Sequence, residues 1–94
     1  MTNTVAHRPA EHCFEVAAQG SRAVLEYQER GDVLVFTHTF VPDELRGGGI
    51  AAQLTEAALR FARAQGKRVV PACSYVAAYL AKHREYADLV DGRS

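Results

Sequence analysis

With 94 residues, 48% of them apolar and 23% charged, the chain has enough material for one small domain with a single core and too little for a second. Its 11 basic residues are matched by 11 acidic ones, so no overall positive field draws it to nucleic acid or to an anionic membrane surface. No apolar run is long enough to cross a bilayer and no basic-then-apolar start marks a signal peptide, so the cytoplasm is the expected compartment.

Residues 1–10 lack apolar periodicity and are expected to form a disordered tail, as are residues 92–94, which leaves one domain over residues 11–91. From Cys13 the chain reads as three extended segments, residues 13–18, 23–28 and 33–40, separated by the turn residues Gln19, Gly20, Ser21 and Glu29, Arg30, Gly31, Asp32. The middle segment alternates Ala23, Leu25 and Tyr27 against Val24, Glu26 and Gln28. The third is rich in β-branched and aromatic residues, as a more central strand would be. An antiparallel meander follows from this order.

Pro42 ends the meander, since it cannot donate to a strand ladder. Between Gly49 and Gln65, the residues Ile50, Leu54, Ala57, Ala58 and Phe61 recur at helical spacing. Gln53, Glu56, Arg60 and Arg63 take the opposite face, with Glu56 and Arg60 at pairing distance. Gly66 supplies the stop. Residues 68–72 then form a short strand parallel to the third, because a helix lies between the two. Pro71 requires that strand to be at an edge or to part from its neighbour. A second helix over residues 74–83 follows, with Ser74 as N-cap and Tyr75, Val76, Tyr79 and Leu80 as its apolar face. The order is β-β-β-α-β-α, an α+β fold.

Chemistry concentrates first at Arg46, Gly47, Gly48, Gly49, Ile50 and Ala51. Consecutive glycines ahead of a helix let backbone amides approach a ligand, and the helix N-terminus favours a phosphate there. The plainer alternative is a flexible loop that only starts the helix. A nucleotide P-loop would need Lys then Ser or Thr after the last glycine, and Ile50, Ala51 and Ala52 stand there instead. A dinucleotide-binding fingerprint would place the loop after the first strand of a parallel sheet.

The stretch resembles the pyrophosphate motif Q/R-x-x-G-x-G/A of the GNAT acetyltransferases through Arg46, Gly49 and Ala51. With residues 37–39 (Thr-His-Thr), 42–51, and 70–75 continuing to Tyr79, His83 and Tyr86, the chain is similar to the short, stand-alone branch of that superfamily over about residues 13–90. The resemblance implies a minimal GNAT fold in which acyl-CoA lies in the V between two parallel strands that splay apart, here residues 33–40 and 68–72. It implies acetyl-CoA as co-substrate, without a metal, and an amine acceptor, either a small molecule or a protein lysine. It places the pantetheine arm along Thr39, Phe40 and Val41 and the pyrophosphate on residues 46–51. Ser74, Tyr75, Tyr79, Lys82 and His83 border the coenzyme from the second helix. Larger relatives add two further strands and a long N-terminal helix around the acceptor, so a non-catalytic acyl-CoA-binding or sensing module is the alternative. A monomer or weak homodimer is expected.

Cys13 and Cys73 fit neither a CxxC pair nor a zinc knuckle and are expected to be free thiols. Cys73 precedes a helix N-terminus, where the dipole lowers a thiol's pKa, although an unpaired cysteine beside an apolar strand is also an ordinary core residue. The resemblance implies an active-site cysteine in the segment Cys73, Ser74, Tyr75. Cys73 would protonate a departing thiolate or carry the acetyl group itself. His38 and His83 are the candidates for removing the amine's proton, each with an ordinary structural role as the alternative. Cys13 reads as structural, the tyrosines Tyr75, Tyr79 and Tyr86 as packing, and Glu85, Asp88 and Asp91 as a solvated end. Glu44 and Arg46 are a possible pair at the loop.

Overall fold

The structure, a computed structural model, describes residues 4–91. One five-stranded sheet runs in the order β1 (Ala6–Arg8), β2 (Cys13–Ala18), β3 (Ser21–Arg30), β4 (Val33–Phe40) and β5 (Arg68–Pro71). The first three pairings are antiparallel and β4–β5 is parallel, joined through helix α1 (Ile50–Ala64). Helix α2 (Ser74–Lys82) and a 3-10 segment at Arg84–Leu89 complete the fold.

Ala23, Leu25 and Tyr27 face the core with Phe14, Val16, Leu34 and Phe36, and α1 lays Ile50, Leu54, Ala58, Leu59 and Ala62 on them. Val76, Tyr79 and Leu80 of α2 join the same cluster. α1 closes as a Schellman turn: the Lys67 amide donates to the Ala62 carbonyl at 2.8 Å and the Gly66 amide to that of Arg63 at 3.2 Å. On the other face Arg8 donates to Glu15 at 2.9 Å while Arg22 holds its second oxygen, so the buried carboxylate is charge-paired on both sides and its pKa falls, chiefly through the Arg22 and Arg8 hydrogen bonds.

Four sequence expectations are corrected. Residues 4–10, expected within the tail, carry β1 and the start of a 3-10 turn at Pro9–Glu11; residues 1–3 and 92–94 lie outside the described residues. Three residues hold no visible period, and β1 exists because His7 seats its ring on Phe14, stacked at 4.2 Å, and shares a 2.6 Å hydrogen bond with the Tyr27 hydroxyl. The N-cap of α2 is Cys73, not Ser74. Arg46 pairs with Asp43, three residues away at 3.2 Å, while Glu44 accepts a hydrogen bond from Ser21, because the 3-10 turn at Asp43–Leu45 turns the two acids apart. Asp88 is not simply solvated: Arg63 binds both its oxygens, at 3.0 and 3.2 Å.

The parallel ladder between β4 and β5 ends at Phe36 and Pro71, as the proline led us to expect. β5 is the last strand of the sheet. Its outer side at Val69 bridges to Val90, and the Asp91 amide donates to the Val69 carbonyl at 2.9 Å.

Candidate active site

The glycine loop is built by its flanks. Leu45, 4% exposed, plugs the core directly before it, and Ile50, 5% exposed, does so directly after. Arg46, Gly47, Gly48 and Gly49 are thereby pushed outward between two anchors, and all four are exposed. Gly49 is the N-cap of α1 with φ 76°, and Gly47 has φ 87°, both in the region that L side chains avoid. No side chain caps α1, so its first-turn amides stay available to an anion.

A groove of about 310 Å³ opens here. It is lined by Val41, by Leu45, Arg46, Gly47 and Gly49 of the loop, by Ile50, Ala51 and Ala52 of the first turn of α1, and by Tyr75 of α2. Arg46 is braced at its edge, donating from Nε to the Val41 carbonyl at 3.0 Å and pairing with Asp43. Tyr75 is 38% exposed, and burial of the rest of its ring raises the phenol's pKa.

Val41 and Tyr75 each stand two residues beyond a member of a second feature, the contact between Thr39 and Cys73. Thr39 Oγ1 and Cys73 Sγ lie 3.3 Å apart. The Cys73 amide donates to the Phe36 carbonyl at 2.8 Å, which sets the sulfur at the point where β4 and β5 part. Burial raises the thiol's pKa, but hydrogen bonding by the Thr39 hydroxyl and the amides of Val76, Tyr75 and Thr39 outweighs it, and the net shift is downward.

Why Thr39 rather than His38 meets Cys73 is decided by one irregularity. Tyr27 pairs with Phe36 but Glu26 pairs with His38, so Thr37 is an extra residue in β4. The bulge inverts side-chain parity beyond it. Thr39, opposite Leu25, joins the core-facing side, whereas His38 and Phe40 lie on the other face opposite Glu26 and Val24. His38 is exposed, and Phe40 is 48% exposed.

Of the residues expected at the coenzyme, Val41, Arg46, Gly47, Gly49, Ile50, Ala51 and Tyr75 line the groove, and Gly48 and Ser74 adjoin it in the chain. Tyr79, Lys82 and His83 sit toward the other end of α2. His83 stacks on Tyr79 at 3.8 Å and donates from Nδ1 to the Tyr79 carbonyl at 2.9 Å, so this pair closes its own helix. Leu45 and Ala52 line the groove without having been expected there. Leu45 had a signal, being the one apolar residue between Pro42 and the glycines; Ala52 had none apart from its place in the first helical turn. Cys13 is buried on the opposite sheet face, where burial raises its pKa.

Among the described residues no helix is long and apolar enough to cross a membrane, and no group of three or more His, Cys, Asp or Glu is placed to hold a metal ion. The solution structure of a Staphylococcus aureus protein described as GCN5-like superposes with a TM-score of 0.75 and 26% identity, covering 98% of this chain and 92% of that one. Protein NATD1 of mouse is 38% identical over 79 residues, 81% of this chain and 72% of its own length. Human Protein NATD1 is likewise 38% identical over 79 residues, covering 81% and 70%. The sequence profile of the GCN5-related N-acetyl-transferases matches residues 13–89. The glycine groove, the parting strands and these similarities agree, and the chain belongs to the GCN5-related N-acetyltransferase family.

Proposed function

We propose that the chain transfers an acetyl group from acetyl-CoA to an amine, with the coenzyme's pyrophosphate on residues 46–51. The observation that carries this reading is the neighbourhood of two features: the groove at the open N-terminus of α1, lined by Val41 and Tyr75, and the Thr39–Cys73 contact, whose members stand two residues before them in the chain. Positive φ at Gly47 and Gly49 and the uncapped first turn suit a phosphate, and Arg46 adds a fixed charge. Beyond Phe36, β4 has no β5 partner, and the opening beside Thr39, Phe40 and Val41 is where the pantetheine arm would lie, with the Thr39 amide already engaged by the Cys73 sulfur and the Val41 carbonyl by Arg46.

In direct transfer the amine nitrogen attacks the thioester carbonyl carbon, the carbon–sulfur bond breaks, and Cys73 gives its proton to the departing CoA thiolate. The amine's proton leaves to a base; His38, exposed on the opposite sheet face beside Glu26, is the group available to an amine arriving from that side. In the covalent route the Cys73 thiolate attacks the same carbon, and CoA leaves as its thiolate and takes up a proton. The amine nitrogen then attacks the acetyl carbon on Cys73, the carbon–sulfur bond breaks to return the Cys73 thiolate, and the amine's proton passes to the base. Tyr79, Lys82 and His83 would meet only the far portions of the coenzyme.

A non-catalytic acyl-CoA-binding module shares the first half of this reading, and it gains support from the sheet ending at β5, with no further strand among the described residues to wall in an acceptor. Calorimetric titration with acetyl-CoA and CoA tests what the two readings share; no binding at millimolar ligand overturns both. Incubation with acetyl-CoA and a panel of polyamines, aminoglycosides and lysine peptides separates them. Acetylated amine from the wild type, lost or strongly reduced in Cys73→Ala, supports the transferase. Binding with no product across the panel supports the module. Intact-mass analysis of the protein reads out the covalent route.

A further inference from the structure

We propose that Thr39 is the positioning residue for Cys73: its hydroxyl, turned to the helix-bearing face by the bulge at Thr37, holds and orients the sulfur that the proposed function puts at the thioester. The inference deepens that reading and rests on it for its purpose, but the contact itself is a property of this chain. Thr39 Oγ1 is 3.3 Å from Cys73 Sγ, across 34 positions of sequence. No local rule brings the two together. Thr39 reaches the sulfur because the extra residue in β4 reverses parity between Phe36 and Thr39. In a regular strand His38 would take the place that Thr39 holds.

The chemistry of the pair is asymmetric. With the sulfur protonated, either atom can donate; with it ionised, only the hydroxyl can, and the bond becomes charge-assisted and stronger. The Thr39 hydroxyl therefore favours the thiolate. It acts with the Val76, Tyr75 and Thr39 amides, all of them neutral donors, against the burial that would otherwise keep the thiol protonated. Threonine suits the task better than serine, since its β-branch restricts χ1 and fixes the direction of the hydroxyl. The second anchor is the backbone, where the Cys73 amide is tied to Phe36 at 2.8 Å. Backbone and side chain of Cys73 are thus both bonded to β4, to Phe36 and Thr39 on the two sides of the bulge.

The test is site-resolved alkylation of Cys73 by iodoacetamide across pH, read by peptide mass spectrometry in the wild type, Thr39→Val and Thr39→Ser, which requires no coenzyme. The valine variant keeps the shape and deletes the donor. Its alkylation midpoint is expected to move to higher pH, with roughly three- to tenfold less thiolate at neutral pH, and serine is expected to restore most of the wild-type profile. Should valine not fold, Thr39→Ala carries the same expectation. An unmoved midpoint in the donor-less variant, or a serine variant displaced as far as valine, overturns the inference. Acetyl-CoA titration of the same proteins keeps the two readings apart: absent binding counts against the proposed function alone, and an unmoved midpoint with intact binding counts against Thr39 alone.

Discussion

The amide of Cys73 donates to the carbonyl of Phe36 at 2.8 Å, the last backbone-to-backbone bond from the β5 side to β4 before the strands part. Phe36 is 0% exposed and packs against Tyr27, their ring centroids 6.3 Å apart. It therefore anchors the splay from the core side. Truncation by Phe36→Ala is expected to cost about 3–5 kcal/mol in urea denaturation. A loss under 1 kcal/mol would show that the point of parting is held by something else.

The glycines of the loop are not equivalent. Gly49 has φ 76°, so Gly49→Val is expected to strain the N-cap of α1, lowering stability by about 1–2 kcal/mol and weakening acetyl-CoA binding. Gly48 has ordinary φ, and a Cβ there would meet only the Leu45 carbonyl at 3.8 Å. Gly48→Ala should fall within about 0.5 kcal/mol of wild type. Paired thermal melts and calorimetry check both, and equal effects would remove the distinction.

His7 gives the protein a defined acid response. Burial, partly offset by the Glu29 charge, lowers its pKa below the ordinary 6.5. The folded state therefore takes up this proton less readily than the unfolded chain. The resulting stability is fully present above about pH 6.5 and is lost as pH falls toward the folded pKa. Protonation must charge a ring stacked at 4.2 Å on Phe14 and set edge-on to Phe61 at 4.5 Å. Urea midpoints of the wild type should fall through that window, and His7→Phe should show a flatter profile; parallel profiles would place the sensitivity elsewhere.

Arg63 ties α1 to the C-terminal turn. It binds both oxygens of Asp88, donates to the Glu85 carbonyl at 2.8 Å and lies 5.6 Å from the centre of the Tyr86 ring. Arg63→Ala is expected to raise hydrogen exchange at the Asp91 amide, whose acceptor is the Val69 carbonyl, with little change in the β2–β3 ladder. Unchanged exchange at Asp91 would show that the bridge from Val69 to Val90 holds the turn by itself.

Much of this architecture is determined within short stretches of sequence. Strands β3 and β4 and helix α1 are legible because alternation in β3, β-branched and aromatic content in β4, 3.6-residue periodicity in α1 and the punctuation by Pro42, Gly49 and Gly66 act between near neighbours. The glycine run ahead of α1 is local for the same reason, and so is the demand of Pro71 that its strand lie at an edge or part from its neighbour. Tertiary structure alone decided the rest. β1 has three residues and no period, and it is a strand only because β2 and the His7 contacts lie beside it. The bulge at Thr37 is defined by the register of β3, which no property of residues 33–40 specifies. That register chose Thr39 over His38 as the partner of Cys73: side-chain parity along a strand is a local rule, but where it breaks depends on a partner far away in the chain.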